Sequence, residues 1–233
     1  MYKSDKWIVI ITLNPPSSFI YNLEKKIENW KIVVLGNNEK NDAKWNIFNS
    51  SDKLFYLSKY AQNNLDFGII KYLKKNSYFR KCIGYLYAIK HGAKEIYEID
   101  EDLEFDGISY FNSIFNNNLV SYAKINSSLM INPYPHFGNN NIWPRGFKIG
   151  DIGKEINHEF HIINSSNIYL KPLVFQGLIN IYPDIDSIFY FTRKNFEKEY
   201  YFNNINSYPL VFFPNNYIPI NSKNTRYMKF SQC

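Results

Sequence analysis

A continuous apolar run near the N-terminus, Trp7–Leu13, most constrains how this chain can fold. The run is rich in β-branched residues, and Asn14-Pro15-Pro16 ends it. Because continuous rather than alternating apolar runs are typical of strands buried on both faces, it predicts a parallel sheet covered by helices. A helix is predicted from Ser18 to about Asn29, followed by a second buried strand at Lys31–Leu35. Strand, helix and strand together form a βαβ unit.

The rest of the first half continues this α/β pattern. The predicted elements are a strand at Lys53–Leu57, a helix at Asn64–Lys74, a helix at Tyr78–His91 that Ser77 caps and Gly92 closes, and a strand at Glu95–Ile99. Residues 106–120 are predicted to be helical and loop-like, and 120–131 to hold another strand. At 233 residues, a single domain over 1–233 is expected, with a nucleotide-binding half to about residue 105 and a mixed acceptor-side half from about 106.

Composition limits the function classes. The chain has 27 Lys and Arg against 21 Asp and Glu, and its net charge of +6 suits an anionic ligand. The basic residues are scattered, so a nucleic-acid partner is not expected. Two cysteines give no disulfide framework. The N-terminal apolar run is far shorter than the roughly 20 residues of a membrane span, so a soluble, cytoplasmic protein without a span of its own is expected.

Three adjacent carboxylates, Asp100, Glu101 and Asp102, directly follow the predicted strand Glu95–Ile99. The carboxyl ends of strands in open α/β sheets face the crevice where ligands bind. Acidic side chains this close repel one another, and a divalent cation such as Mn²⁺ or Mg²⁺ relieves that repulsion by taking their oxygens as ligands. The triplet therefore predicts a metal site at Asp100 and Asp102, completed by phosphate oxygens. A solvated acidic turn is the alternative.

Two basic residues, Arg80 and Lys81, fall in the first turn of the predicted helix Tyr78–His91. Positive charges at that end oppose the helix dipole, so helix stability does not explain them. A bound diphosphate would, since cations neutralise it and Arg can do so with two hydrogen bonds. An exposed basic pair is the alternative.

The second half carries a cluster of Pro, Gly, aromatic and basic residues, Asn132–Gly138 and Trp143–Gly146. Flat aromatic faces suit sugar rings, so Trp143 and Arg145 are predicted to contact a bound sugar. Turn chemistry alone is the alternative interpretation.

Asp184 and Asp186 stand two residues apart. In an extended segment both carboxylates face the same side, and one of them could deprotonate an acceptor hydroxyl as the catalytic base. A turn followed by a helix N-cap is the alternative.

Other catalytic motifs are excluded or disfavoured. His158 and His161 are three residues apart, whereas the metalloprotease helix needs a spacing of four, so an exposed helix face is predicted there. The sequence has no phosphate-binding P-loop and no nucleophile elbow, which argues against P-loop kinases and α/β-hydrolases.

Several segments, taken together, resemble the STELLO-type family, a group of glycosyltransferases known from plants. They occur in this order: Trp7–Pro16, Asn76–Ala93, Ile96–Asp102, Asn132–Gly138, Trp143–Phe147, Gln176–Arg193 and Pro219–Thr225. The resemblance implies a GT-A-like fold, in which a Rossmann-like sheet binds a divalent metal and a nucleotide sugar. It implies that Asp102 is the main metal ligand and that Asp100 contacts the ribose or a metal-bound water. Thr12 and Asn14 would hold the nucleoside.

The resemblance also implies an activity: metal-dependent transfer of a sugar, with a UDP-sugar as the expected donor, to a glycan, protein or small-molecule acceptor. One alternative is a catalytically degenerate glycan-binding or scaffolding module, against which the intact acidic triplet counts. Another is a nucleotidyltransferase, which the lack of a glycine-rich basic loop after the first strand disfavours.

Overall fold

The computed structural model describes residues 3–74, 77–101, 122–125, 130–140, 142–151, 160–163, 172–192, 199–202, 208–214 and 216–228. Contacts divide these residues into two compact units. The first contains the described residues of 1–108, 172–175 and 222–233, and the second those of 109–171 and 176–221. The single domain expected over 1–233 stays a prediction.

The first unit is built on a mostly parallel sheet. The strands formed by the described residues are β1 (Lys6–Thr12), β2 (Lys31–Gly36), β3 (Leu54–Leu57), β4 (Glu95–Ile99), β5 (Tyr122–Ile125), β6 (Phe160–Ile163), β7 (Val174–Gln176), β8 (Leu210–Val211) and β9 (Asn224–Met228). Six of them form one sheet in the order β3-β2-β1-β4-β9-β7. β1 to β4 pair in parallel, and β9 is antiparallel to β4. The predicted α/β class with a Rossmann-like, mostly parallel sheet is confirmed.

The N-terminal apolar run forms part of the buried core of this sheet. Residues 7–10 of β1 and 32–35 of β2 are fully buried. The helix over β1 and β2 packs closely, because a Cβ added at Gly84 would lie only 2.6 Å from Val9 Cγ1 and 3.0 Å from Leu35 Cδ1. Burial of both strands along their length is what a continuous β-branched run predicts.

The helices are shorter than the sequence predicts. In the described residues they are α1 (Ser18–Lys26), α2 (Lys59–Asn63), α3 (Lys81–Lys90) and α4 (Ser187–Thr192). Short 3₁₀ segments lie at Glu39–Phe48, Gly68–Tyr72, Tyr78–Arg80, Tyr134–Phe137 and Ile149–Asp151. None of these helices is long and apolar enough to cross a membrane.

The predicted helix at Asn64–Lys74 is wrong. The helix in this region begins earlier, where the Ser58 side chain accepts a hydrogen bond from the backbone N–H of Ala61. Only the 3₁₀ segment Gly68–Tyr72 follows it. Gly68 and the β-branched residues after it have low helix propensity, which explains the interruption. By contrast, Ser77 caps the Tyr78–Arg80 turn before α3 as predicted, by accepting a hydrogen bond from the N–H of Phe79.

The second unit contains a three-stranded sheet in the order β6-β5-β8. In the same unit, seven residues form a buried apolar cluster: Tyr134, Ile142, Trp143, Phe147, Phe189, Tyr200 and Phe202. His161 is exposed, but it lies on the strand β6 rather than on the predicted helix. Its partner in that motif, His158, and the segment 106–120 lie outside the described residues.

Candidate functional site

The carboxyl ends of β1 and β4 meet at one edge of the main sheet. The two strands are parallel neighbours in which Val9 pairs with Glu98. Carrying this register three residues further places Thr12 beside Glu101. The side chains confirm the placement: Thr12 donates a hydrogen bond to the Glu101 carboxylate, and Asn14 Nδ2 donates to Glu101 Oε1 at 2.7 Å. The structure therefore brings the two predicted nucleoside residues together with the middle residue of the acidic triplet.

Side chains from the 3₁₀ segment Glu39–Phe48 and the residue before it hold the loop after β1. Asn38 and Asn41 both donate side-chain hydrogen bonds to the Leu13 carbonyl, at 3.1 and 2.9 Å. The Trp45 indole N–H donates to the Asn14 carbonyl at 3.2 Å. Asn14 is thus fixed by its side chain and by its backbone, so its amide has a defined position at the sheet edge.

Asn37 lies at the same edge, directly after β2. Its backbone N–H donates to the Thr12 carbonyl at 2.8 Å. Its side-chain oxygen is buried and has no hydrogen-bond partner among the described residues. A buried amide oxygen without a partner carries a desolvation cost that a donor on a ligand could remove.

Asp100 is the described member of the predicted metal pair, since Asp102 lies outside the described residues. Its Oδ1 accepts hydrogen bonds from the Tyr78 hydroxyl and from Lys81 Nζ, each at 3.0 Å. Both bonds end on the same oxygen, which leaves Oδ2 for another partner.

Lys81 is buried at 2% exposure. Its ammonium donates hydrogen bonds to Asp100 Oδ1 at 3.0 Å, to the Ser222 carbonyl at 2.9 Å and to the Tyr78 hydroxyl at 3.1 Å. Its nitrogen also lies 2.9 Å from Glu98 Oε1 in an ion pair. Burial alone would lower the pKa of Lys81, but the two carboxylates raise it above its ordinary value. An ammonium has three hydrogens, so a direct contact with diphosphate would require Lys81 to give up one of these bonds.

Arg80 is also buried, at 3% exposure, but its hydrogen-bond partners are neutral. Its Nε donates to Gln62 Oε1 and its Nη2 to Asn63 Oδ1, both at 2.9 Å. Gln62 in turn donates to the Gly36 and Leu57 carbonyls at 2.8 Å, at the carboxyl ends of β2 and β3. Burial lowers the pKa of the Arg80 guanidinium. Within the described part of the chain no carboxylate forms an ion pair with it. A buried cation without a carboxylate favours an anionic ligand.

Glu98 is a site residue that sequence reasoning missed. It is fully buried within β4. One oxygen pairs with Lys81, and the Tyr227 hydroxyl donates to the other at 3.3 Å. Burial, together with the nearby Glu98 carboxylate, raises the pKa of Tyr85. The available signal was a glutamate between Tyr97 and Ile99, inside the strand and two residues before the acidic triplet.

The oxygen atoms available as metal ligands at this edge suit a hard divalent cation. Asp100 and Glu101 offer carboxylate oxygens, the ligand type that Mn²⁺ and Mg²⁺ take. The parts of the chain that the structure describes hold no group of three or more His, Cys, Asp or Glu able to bind a metal ion. Oxygens from a ligand, together with Asp102, would therefore have to complete the coordination.

In the second unit, a short antiparallel pairing joins two predicted clusters. Pro144 and Ile185 form a β-bridge. On either side of it the Asp186 N–H donates to the Trp143 carbonyl at 2.8 Å and the Arg145 N–H donates to the Asp184 carbonyl at 3.2 Å. The residues predicted for sugar contact and for proton transfer are thus neighbours in this unit.

Their environments separate their possible roles. Trp143 is buried and packs edge-to-face on Phe147, with ring centroids 4.8 Å apart. Asp186 Oδ1 accepts a hydrogen bond from the N–H of Phe189 at 3.0 Å, so it caps α4. The Asp184 carboxylate lies 3.4 Å from Nε of Arg145, whose side chain is 65% exposed. Asp184 and Arg145 are therefore the pair that can meet a ligand without unpacking the unit.

Comparison with known proteins gives two relatives from Arabidopsis thaliana. "Probable glycosyltransferase STELLO1" is 32% identical over 241 residues, and "Probable glycosyltransferase STELLO2" is 33% identical over 237 residues. Each match covers 97% of this chain and 30% of the relative, so the chain spans less than a third of the length of these curated relatives. No protein-family model matches the chain. The predicted resemblance to the STELLO-type family is confirmed.

Proposed function

Since this chain is a homologue of the STELLO proteins over 97% of its length, we propose that it is a glycosyltransferase domain of the STELLO type. It transfers a sugar from a nucleotide diphosphate sugar to an acceptor hydroxyl. A UDP-sugar is the proposed donor, and a glycan, a protein or a small molecule is the acceptor.

The observation that carries this proposal is the edge where β1 and β4 end. Thr12 and Asn14 converge there on Glu101, and Asp100 is held in place beside them. Polar amides, hydroxyls and carboxylates at the carboxyl ends of parallel strands are the arrangement with which α/β sheets bind nucleotides.

Each residue has a role in donor binding. Thr12 and Asn14 hold the nucleoside once Glu101 releases their hydrogen bonds. Asp100 and Asp102 would hold a Mn²⁺ or Mg²⁺ ion, which when bound supplies positive charge against the leaving diphosphate. Arg80 adds a second positive charge, and its lack of an ion-pair partner in the described residues supports that assignment.

The transfer step needs a base for the acceptor. We assign this role to Asp184, because Asp186 is already used as the cap of α4. In an inverting transfer the Asp184 carboxylate takes the proton of the acceptor hydroxyl while that oxygen bonds to the anomeric carbon. The bond from the anomeric carbon to the diphosphate breaks with its electron pair, and the nucleoside diphosphate leaves. Arg145 orients the carboxylate through their ion pair.

A thermal-shift screen of nucleotide sugars, with and without Mn²⁺, tests the proposal. A UDP-sugar is expected to raise the unfolding temperature, and more strongly with Mn²⁺, since a ligand that binds the native state alone stabilises it. Asp5→Asn, a carboxylate change at the amino end of β1, is the matched control and should keep the shift. No shift with any nucleotide sugar, in either condition, would contradict the proposed function.

A further inference from the structure

Asp100 is held by a buried charge cluster made of Glu98, Lys81 and Asp100 itself. We propose that Glu98 and Lys81 are positioning residues, which fix the carboxylate of Asp100 in the orientation that the metal and the donor require. This inference rests on the proposed function, in which Asp100 belongs to the metal and donor site.

The geometry of Lys81 supports a positioning role. Its three hydrogen bonds end on Asp100, on the Ser222 carbonyl and on the Tyr78 hydroxyl. Tyr78 donates in turn to the same Asp100 oxygen at 3.0 Å. Two donors on Oδ1 fix the rotation of the carboxylate and turn Oδ2 toward any incoming cation.

Glu98 fixes Lys81 from the opposite side. It pairs with the ammonium at 2.9 Å and itself accepts a hydrogen bond from the Tyr227 hydroxyl on β9. The ammonium therefore lies between two carboxylates, one inside the sheet and one at its edge. Without Glu98, Lys81 would be a buried cation free to shift toward Asp100 and to reorient it.

The charge balance shows why two carboxylates are needed. One ammonium and two carboxylates leave the cluster with one net negative charge. A pair consisting of Lys81 and Asp100 alone would be neutral and would attract a divalent cation less. Glu98 thus lets Lys81 hold Asp100 without cancelling the charge that binds metal.

The double variant Glu98→Gln with Lys81→Met tests this inference. It removes one charge of each sign, so the cluster keeps its net charge of minus one, and replacing a buried ion pair by neutral residues of similar size is compatible with folding. Any change in metal affinity then reports the lost positioning of Asp100 rather than a change in charge. The matched control is Glu95→Gln with Arg226→Met, which removes the ion pair that joins β4 to β9 at the other end of β4.

The measurement is electron paramagnetic resonance of Mn²⁺ titrated into each protein with UDP present, with circular dichroism as the check of folding. The double variant is expected to bind Mn²⁺ at least about tenfold more weakly, and the control to match the unmodified protein. Tyr78→Phe, a half-exposed position where folding is not at risk, should weaken Mn²⁺ binding about threefold to tenfold and serves if the double variant does not fold.

The outcomes separate the inference from its premise. Unchanged Mn²⁺ affinity in the folded double variant, or in Tyr78→Phe if the double variant does not fold, overturns the positioning role while the proposed function stands. Equal weakening in the Glu95 and Arg226 control overturns it as well, because the effect would then be general. Absence of Mn²⁺ binding with UDP in the unmodified protein refutes the metal site within the proposed function and, with it, this inference; donor binding in the thermal-shift screen then decides the rest of the proposed function.

Discussion

Replacing Arg80 by Met separates diphosphate binding from the stability of the fold. Arg80 is buried and donates to two neutral amide oxygens, on Gln62 and Asn63. The substitution loses these two hydrogen bonds, each worth about 1.5–3 kcal/mol because the donor is charged. It also removes the several kcal/mol that burying a guanidinium costs. Since the two contributions oppose each other, the free energy of unfolding is expected to change by less than about 2 kcal/mol.

Nucleotide binding is expected to change much more. A charged hydrogen bond to the diphosphate contributes about 1.5–3 kcal/mol, so UDP affinity should fall roughly 10- to 150-fold. Uridine lacks the diphosphate and should bind Arg80→Met as it binds the unmodified protein. Isothermal titration calorimetry with both ligands measures the difference.

The control is Lys31→Met, which removes one positive charge at the opposite, amino end of β2. It should leave both affinities unchanged. Equal losses for uridine and UDP in Arg80→Met would refute the reasoning, because they would show a general distortion of the sheet edge. An unchanged UDP affinity would show that Arg80 does not meet the diphosphate.

Three further predictions concern the base, the core and the buried tyrosines. Asp184→Asn should reduce the transfer rate about 10²- to 10⁴-fold and leave the donor affinity unchanged. Asp186→Asn should change the transfer rate by only a few-fold, since Asn also caps helices. Similar transfer rates in both variants contradict the assignment. Gly84→Ala should lower the free energy of unfolding in urea by about 1–2 kcal/mol. Overpacking of the new methyl group against Val9 is expected to outweigh the higher helix propensity of Ala. A variant more stable than the unmodified protein contradicts this packing. Burial and then Glu98 raise the pKa of Tyr227 from 10.0 to about 12, so the unfolded chain loses this proton first. The free energy of unfolding in urea should therefore fall as the pH rises from 10 to 12, and a free energy that does not fall over this range contradicts this.

The strands of the main sheet could be predicted because their burial is continuous. The β-branched runs of β1 and β2 have few other stable environments, and both are buried along their length. The antiparallel insertion of β9 between β4 and β7 could not be predicted. Its sequence, Asn224–Met228, is mixed in polarity, and its place depends on pairing with a strand more than 100 residues earlier.

Sequence reasoning placed the candidate site at the end of a strand but did not predict the contacts made there. Three carboxylates that directly follow a strand indicate the sheet edge at which that strand ends. The parallel register of β1 and β4 then brings Thr12 next to Glu101. That Lys81 points into the carboxylate cluster while the adjacent Arg80 points to Gln62 depends on side-chain direction at the start of α3. The sequence does not reveal this difference in direction, because both residues are positively charged and adjacent in the same predicted helical turn.

The central claim is that the edge where β1 and β4 end binds metal and nucleotide together. Calorimetric titration of UDP with and without Mn²⁺, on the unmodified protein and on Asp102→Asn, tests it most directly. Mn²⁺ should tighten UDP binding about 5- to 150-fold, UDP should tighten Mn²⁺ binding by the same factor, and Asp102→Asn should abolish both effects. UDP binding that is independent of metal in the unmodified protein, or equal coupling in Asp102→Asn, would contradict the claim.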